Sequence, residues 1–81
     1  MVAWKNQMIT GPQIRAARAL LNWSARDLSK QCGVSHSAIA RGEKSDYLPR
    51  MQERNLKNMR RAFENHRIEF LDDGGVRIRP L

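Results

Sequence analysis

Gly33 is the residue that most limits how this chain can fold. It lies in the stretch WSARDLSKQCGVSHSAIAR, residues 23–41, between two short segments of helical character. Glycine takes a left-handed conformation without steric cost, so it ends a helix cleanly. Upstream, Ser24 is a cap candidate and Asp27 lies three residues on, the spacing of a capping box. Leu28 and Cys32 then fall on one helical face. Downstream, Val34 tucks under the turn, Ser35 offers a second cap and Ile39 points inward. The stretch predicts two short helices joined by a tight turn and held by apolar positions 28, 34 and 39.

The remaining segments are arranged around this unit. Residues 1–9 are ambiguous between a short strand and an arm over the body, with Trp4 read as a packing residue. Thr10 caps a first helix whose opening turn is Gly11-Pro12, where the missing proline N–H would be unpaired anyway. Ile14, Ala17 and Leu21 recur at helical spacing and Leu20 broadens the stripe, which leaves Arg15 and Arg18 to solvent. Trp23 is placed to seal the next corner. After the third helix, GEKSDYLPR carries the Gly, Ser, Asp and Pro of a loop. A fourth helix follows, from about Met51 to Asn65, with Leu56, Met59 and Phe63 inward. Its remaining surface is dominated by Arg54, Lys57, Arg60 and Arg61, read as a solvated face whose N-terminal part could lie near a phosphate backbone.

At Ile68 the period changes to two. Ile68 and Phe70 flank Glu69, Asp72-Asp73-Gly74-Gly75 supplies a turn, and Val76 and Ile78 alternate with Arg77 and Arg79. That is a β-hairpin with a four-residue connection, stopped by Pro80. A lone two-stranded hairpin is marginal in water, so it must dock on the fourth helix, take a strand from residues 2–4, or pair with a second chain.

Eighty-one residues make one domain. Such a chain buries roughly 60% of its unfolded surface, which makes oligomerisation a natural source of stability. Cys32 is the one cysteine, so no internal disulfide forms, in keeping with a reducing compartment. Cys32 and His36 share a metal-like spacing, but two ligands are too few for zinc, and Cys32 reads as a core residue. No apolar run approaches the ~20 residues of a membrane span. The N-terminus lacks the apolar region of a signal peptide, so the expected location is cytoplasmic.

The net charge of +7 and the pI near 10.8 favour a polyanionic partner. The charge is uneven. Residues 1–62 hold twelve Lys and Arg against four acids, whereas residues 63–81 hold three against four. The helical part is therefore the part suited to phosphate, and the tail is expected to serve another purpose. There is no phosphate-cradling glycine loop, metal cluster or nucleophilic triad, so the chain is not read as an enzyme and no cofactor is expected.

Helix, glycine turn and helix on a basic background is the layout of a DNA-binding helix-turn-helix. The residues IRAARALLNWSARDLS, CGVSHSAIARGE and LKNMRRAFENHRIEFLDDGG carry the pattern further. Over Thr10 to about Leu71 the chain resembles the small single-domain, lambda-repressor-like regulators of the XRE type. The resemblance implies a mostly α fold: a four-helix lambda-repressor-like helix-turn-helix domain with a short C-terminal β-hairpin. Residues 1–9 would be an arm, 10–66 the DNA-binding domain and 67–81 a hairpin tail used for dimerisation. Ser35, His36, Ser37 and Arg41 match the positions that face the major groove. Lys44, with Arg26, Lys30 and Arg50, would contact phosphates. Ser29 matches a usually alanine position where the second and third helices approach.

Three positions depart from the family pattern. Ala25 replaces a glutamine that often contacts phosphate. Gly42 replaces a large apolar residue, so the third helix could end early. Arg67 stands where glycine often ends the last helix, which implies a strained turn at His66–Arg67 or a different helix end.

One such motif reads only a few base pairs, and such proteins usually dimerise across half-sites ~34 Å apart. Phe63, Ile68, Phe70, Val76 and Ile78 are the expected homodimer interface. The implied function is a sequence-specific regulator of double-stranded DNA. It would act as a repressor, or a repressor/activator switch, near its own gene or on a phage or mobile element. The alternative is an antitoxin-type interaction module, with a toxin or antiactivator as partner and DNA binding secondary.

Overall fold

The computed structural model describes residues 9–44 and 51–80. The expectations for Trp4, the N-terminal arm, Arg50 and most of the loop after the third helix lie outside these residues. Four helices come first: α1 (Gly11–Leu21), α2 (Ala25–Cys32), α3 (His36–Glu43) and α4 (Glu53–Glu64). A hairpin of β1 (Ile68–Phe70) and β2 (Val76–Ile78) follows. The chain is mostly helical with a two-stranded antiparallel hairpin, as the sequence predicts.

Side-chain caps set the starts of the first three helices. The Thr10 hydroxyl accepts from the Gln13 N–H at 3.2 Å, and Gln13 Oε1 accepts from the Thr10 N–H at 3.0 Å. Ser24 and Asp27 form the same reciprocal box on α2, at 3.0 and 2.9 Å. The Ser35 hydroxyl accepts from the Ala38 N–H at 3.2 Å. Each such cap is worth about 1 kcal/mol. The last helix starts at Glu53, two residues later than expected, and Gln52 gives it no side-chain cap. Gly33 closes α2 in the left-handed conformation at φ 76°. Asn22 does the same for α1 at φ 57°, a role its sequence position did not announce.

The core is one cluster: Ile9, Ile14, Ala17, Leu28, Val34, Ile39, Leu56, Met59, Phe63 and Ile68. Positions 28, 34 and 39 sit in it as expected. Ile9 is fully buried although the sequence left it in an ambiguous arm. Leu20 is 44% exposed and does not widen the α1 stripe, because Ile14 and Ala17 already define the face turned to the core. Cys32 is half-buried, packed against the core rather than within it. Trp23 seals its corner by stacking on Phe63 at 5.7 Å between ring centroids and meeting His66 edge-on at 4.8 Å.

The hairpin docks on its own chain. Its β1 lies against α4 and its β2 against α1, with Ile68, Glu69 and Phe70 opposite Ile78, Arg77 and Val76. Phe70 meets the Phe63 ring edge-on at 5.8 Å and lies under the Arg60 guanidinium at 5.5 Å. Between the strands lie residues 71–75, and the loop proper inside them is tighter than the four residues expected. The Leu71 N–H donates to the Gly75 carbonyl at 2.9 Å and the Gly74 N–H to the Leu71 carbonyl at 3.1 Å. That leaves a three-residue loop ending on Gly74 at φ 91°, the geometry of a turn followed by a glycine bulge. Arg67 takes φ 69°, a conformation that costs a side chain roughly 1–2 kcal/mol. It is held there from both sides: its carbonyl accepts from the Arg79 N–H at 2.7 Å, and its Nε donates to the Arg79 carbonyl at 3.0 Å.

Candidate nucleic-acid interface

The α3 helix has two unlike faces. Ile39, Gly42 and Glu43 are buried. His36, Ser37, Ala40, Arg41 and Lys44 are exposed, at a spacing that keeps them on one side of the helix. Ser35 is exposed at the N-terminus, where its hydroxyl is committed to the cap. Among the described residues, the side chains of His36, Ser37 and Arg41 make no hydrogen bond or ion pair. A small, polar and basic surface of this kind admits close approach of a polyanion without first breaking internal bonds.

Glu43 does not neutralise Arg41, although the two are close in sequence. Its carboxylate is taken by Arg18 of α1, which donates through Nε at 2.5 Å and Nη2 at 2.8 Å. The Glu43 carbonyl accepts from Arg15 Nη1. Arg18 also donates through Nη1 to the Trp23 carbonyl at 2.9 Å, so one guanidinium joins α1, the α1–α2 corner and α3. The hydrogen bond to Glu43 raises the Arg18 pKa above its ordinary value against the opposing effect of burial. These contacts correct two sequence expectations. Arg18 is not a solvated side chain, and α3 does not stop short at Gly42, because the α1 arginines hold its last residue. No local pattern signals this pair, since its members stand 25 positions apart.

Arg26 and Lys30 are exposed one turn apart on α2, and Lys44 is exposed just beyond α3. Between them, Asp27 is engaged in its capping box. The Ser24 backbone N–H, then its hydroxyl, holds the Asp27 carboxyl below its usual range. On α4 the basic residues are partly neutralised by their own helix. Lys57 lies 3.8 Å from Glu53, and Arg60 lies 3.0 Å from Glu64. Exposed pairs of this kind contribute at most ~1 kcal/mol, but they lower the charge available to a phosphate backbone. Arg54 and Arg61 are exposed on the same helix.

The residues expected at a dimer interface divide. Phe63 and Ile68 are 0% and 1% exposed and belong to the chain's own core, so they offer no surface to a second copy. Apolar periodicity alone did not reveal that α4 and the hairpin would bury these side chains against each other. Phe70 and Val76 are half-buried, and Ile78 is 39% exposed.

The family model described as helix-turn-helix matches residues 14–53. Residues 14–53 are an XRE-type helix-turn-helix domain. No curated protein matches the chain. The XRE-type match begins inside α1, spans α2, the Gly33 turn and α3, and stops at the first residue of α4. It therefore takes in the exposed α3 face and the Arg18–Glu43 clasp behind it, and leaves out the hairpin. A domain of this family is a DNA-binding module of transcriptional regulators. No helix among the described residues is long and apolar enough to cross a membrane.

Proposed function

We propose that this protein is a sequence-specific repressor that binds paired half-sites of an operator as a homodimer, near its own gene. The observation that supports it is the outward face of α3, where the side chains of His36, Ser37 and Arg41 are exposed and without partners among the described residues. Placed in a major groove, Arg41 would donate two parallel hydrogen bonds to guanine O6 and N7. His36 and Ser37 would add weaker readout beside it, while Ser35 keeps its cap. Ala40, small and exposed on the same face, would let the backbone come close to the bases. Arg26, Lys30, Lys44 and Arg50 would contact phosphates, setting register and affinity but not sequence. Dimerisation would use the part of the hairpin's apolar face that the core leaves uncovered, through Ile78 with Phe70 and Val76 beside it. The repressor role and the self-regulated promoter rest on analogy with small regulators of this family.

Footprinting on the DNA upstream of the gene tests this reading. The expected result is a protected region with two inverted half-sites about one helical turn, ~34 Å, apart. Uniform binding along the fragment, with no protected site at any concentration, would overturn sequence-specific recognition. Light scattering at micromolar concentration tests the assembly: a mass of one chain, both free and on the operator, would overturn the homodimer.

A further inference from the structure

Gln13 is a buried polar side chain that the DNA-reading face does not use. Its carboxamide is fully committed. Oε1 accepts from the Thr10 N–H at 3.0 Å, while Nε2 donates to the carbonyls of Leu71 at 3.3 Å and Gly75 at 3.2 Å. Only one orientation of the amide satisfies all three groups, since the oxygen must face an N–H and the nitrogen two carbonyls. One side chain thereby joins the start of α1 to the two residues that close the hairpin loop. The strands of the hairpin are held separately, by Ile68 in the core, Phe70 on Phe63 and Val76 against the core. The loop end has Gln13.

We propose that Gln13 is a positioning residue that fixes the direction of the hairpin relative to α3, and thereby the spacing between the two DNA-reading helices of the dimer. The spacing part rests on the dimeric reading given above. Without the Nε2 donors the hairpin would still be anchored at Ile68, Phe70 and Val76 but could pivot there. The exposed Ile78 would then meet a second copy at variable angles. The helix-turn-helix unit would be unaffected, because its caps and the Arg18–Glu43 clasp do not involve Gln13's amide nitrogen.

Gln13→Glu isolates this role. It keeps an oxygen for the Thr10 N–H and replaces both donors with a carboxylate oxygen facing two carbonyls. Thr10→Ala is the control, since it weakens the α1 cap and leaves Gln13's donors in place. Two readouts on the full-length chain separate the parts of the proposal. The first is hydrogen exchange at the Leu71 and Gly74 amides. These are expected to exchange at least about tenfold faster in Gln13→Glu than in the parent or Thr10→Ala, a change of about 1.4 kcal/mol in local opening. Equal protection in Gln13→Glu would overturn the positioning role.

The second readout uses duplexes selected from a random pool by the parent protein, rebuilt with one or two base pairs added to or removed from the centre. The parent is expected to lose about tenfold or more in affinity with each such change, because misplaced half-sites cannot both be engaged. Gln13→Glu is expected to flatten this profile while binding a single half-site as the parent does. A profile as steep as the parent's would overturn the control of spacing. A flat parent profile would overturn the dimeric reading and the spacing claim together, while hydrogen exchange still decides whether Gln13 holds the hairpin. A third variant, Gln13→Leu, lacks the added charge, so the same loss of protection there attributes the effect to the missing donors.

Discussion

The α2–α3 half and the α4–hairpin half are held by different forces. In the first, short helices are set by caps at Ser24 and Ser35, a left-handed glycine at 33 and a clasp from α1 onto Glu43. Leu28, Val34 and Ile39 tie it to the shared core, and the outward side chains of His36, Ser37 and Arg41 are unengaged among the described residues. In the second, Phe63, Met59, Leu56 and Ile68 are fully buried and an aromatic chain runs from Trp23 through Phe63 to Phe70. Apolar burial of this size supplies most of a small domain's stability, roughly 1.5–3 kcal/mol for each large side chain. The recognition surface can therefore be polar and exposed because the apolar cohesion lies on the inward side of α2 and α3 and, in larger part, in the second half. Substitutions in the two halves should separate folding from DNA binding.

The largest effect is expected at the junction of the aromatic chain. Phe63→Ala should cost about 3–5 kcal/mol through lost burial and an unfilled cavity. Chemical denaturation should then show a chain close to unfolded at room temperature, with DNA binding lost only as a consequence. Glu43→Ala comes next. It leaves Arg18 with the Trp23 carbonyl but no carboxylate at a site that is mostly but not fully shielded, side-chain exposure being 23% for Arg18 and 10% for Glu43. A loss of about 2–3 kcal/mol is expected, below the range for a fully enclosed pair. For a domain of this size that lowers the melting temperature by about 4–8 °C per kcal/mol. An unchanged melting temperature would remove the clasp from the account of how α3 is held.

On the hairpin, Ile78→Lys should change monomer stability by no more than about 0.5 kcal/mol, as for an ordinary surface position. Its effect should appear in mass, with sedimentation showing a shift from two chains to one. An intact dimer would place the interface elsewhere.

The smallest effect expected concerns acid. Asp27 has its folded pKa depressed below the ordinary 3.8 by the Ser24 N–H and hydroxyl. A depressed carboxyl contributes stability above its unfolded pKa and loses it as pH falls through the folded value, because the unfolded chain takes up the proton first. Melting curves from pH 5 downward should therefore fall more steeply for the parent than for Asp27→Asn, with the difference growing below pH 3.8. Parallel curves would mean that the box adds nothing specific to the ionised form.

Local chemistry made half of this molecule legible in the sequence. Ser24 with Asp27, Gly33, Ser35 and the apolar positions 28, 34 and 39 are signals within a few residues of one another, and each acts as read. The alternation at 68–70 and 76–78 likewise marked both strands. Polar contacts between distant segments were not legible. Gln13 meets Leu71 and Gly75 at separations of 58 and 62 residues, and Arg18 meets Glu43 at 25. Neither has a periodicity to betray it, and both arginine positions on α1 looked like solvated surface. Phe63 and Ile68 show a different limit. Apolar spacing says that a side chain will be covered, not by which partner, and here α4 and the hairpin cover each other. The exposed residues of α3 were identified through resemblance rather than through any property of a serine, histidine or arginine taken alone.

The central claim is that the outward face of α3 reads sequence and that Arg41 carries most of that reading. It is tested most directly by measuring the affinity of the parent and Arg41→Ala for the selected operator and for random duplex, over a salt series. The account predicts a loss of about 1–3 kcal/mol on the operator, relaxed preference at one base position and little change on random DNA. It also predicts a steep decline with salt for both proteins, with log–log slope about −0.9 for each phosphate neutralised. An equal loss on operator and random duplex would contradict base readout by Arg41, and a flat salt response would contradict DNA as the ligand of this face.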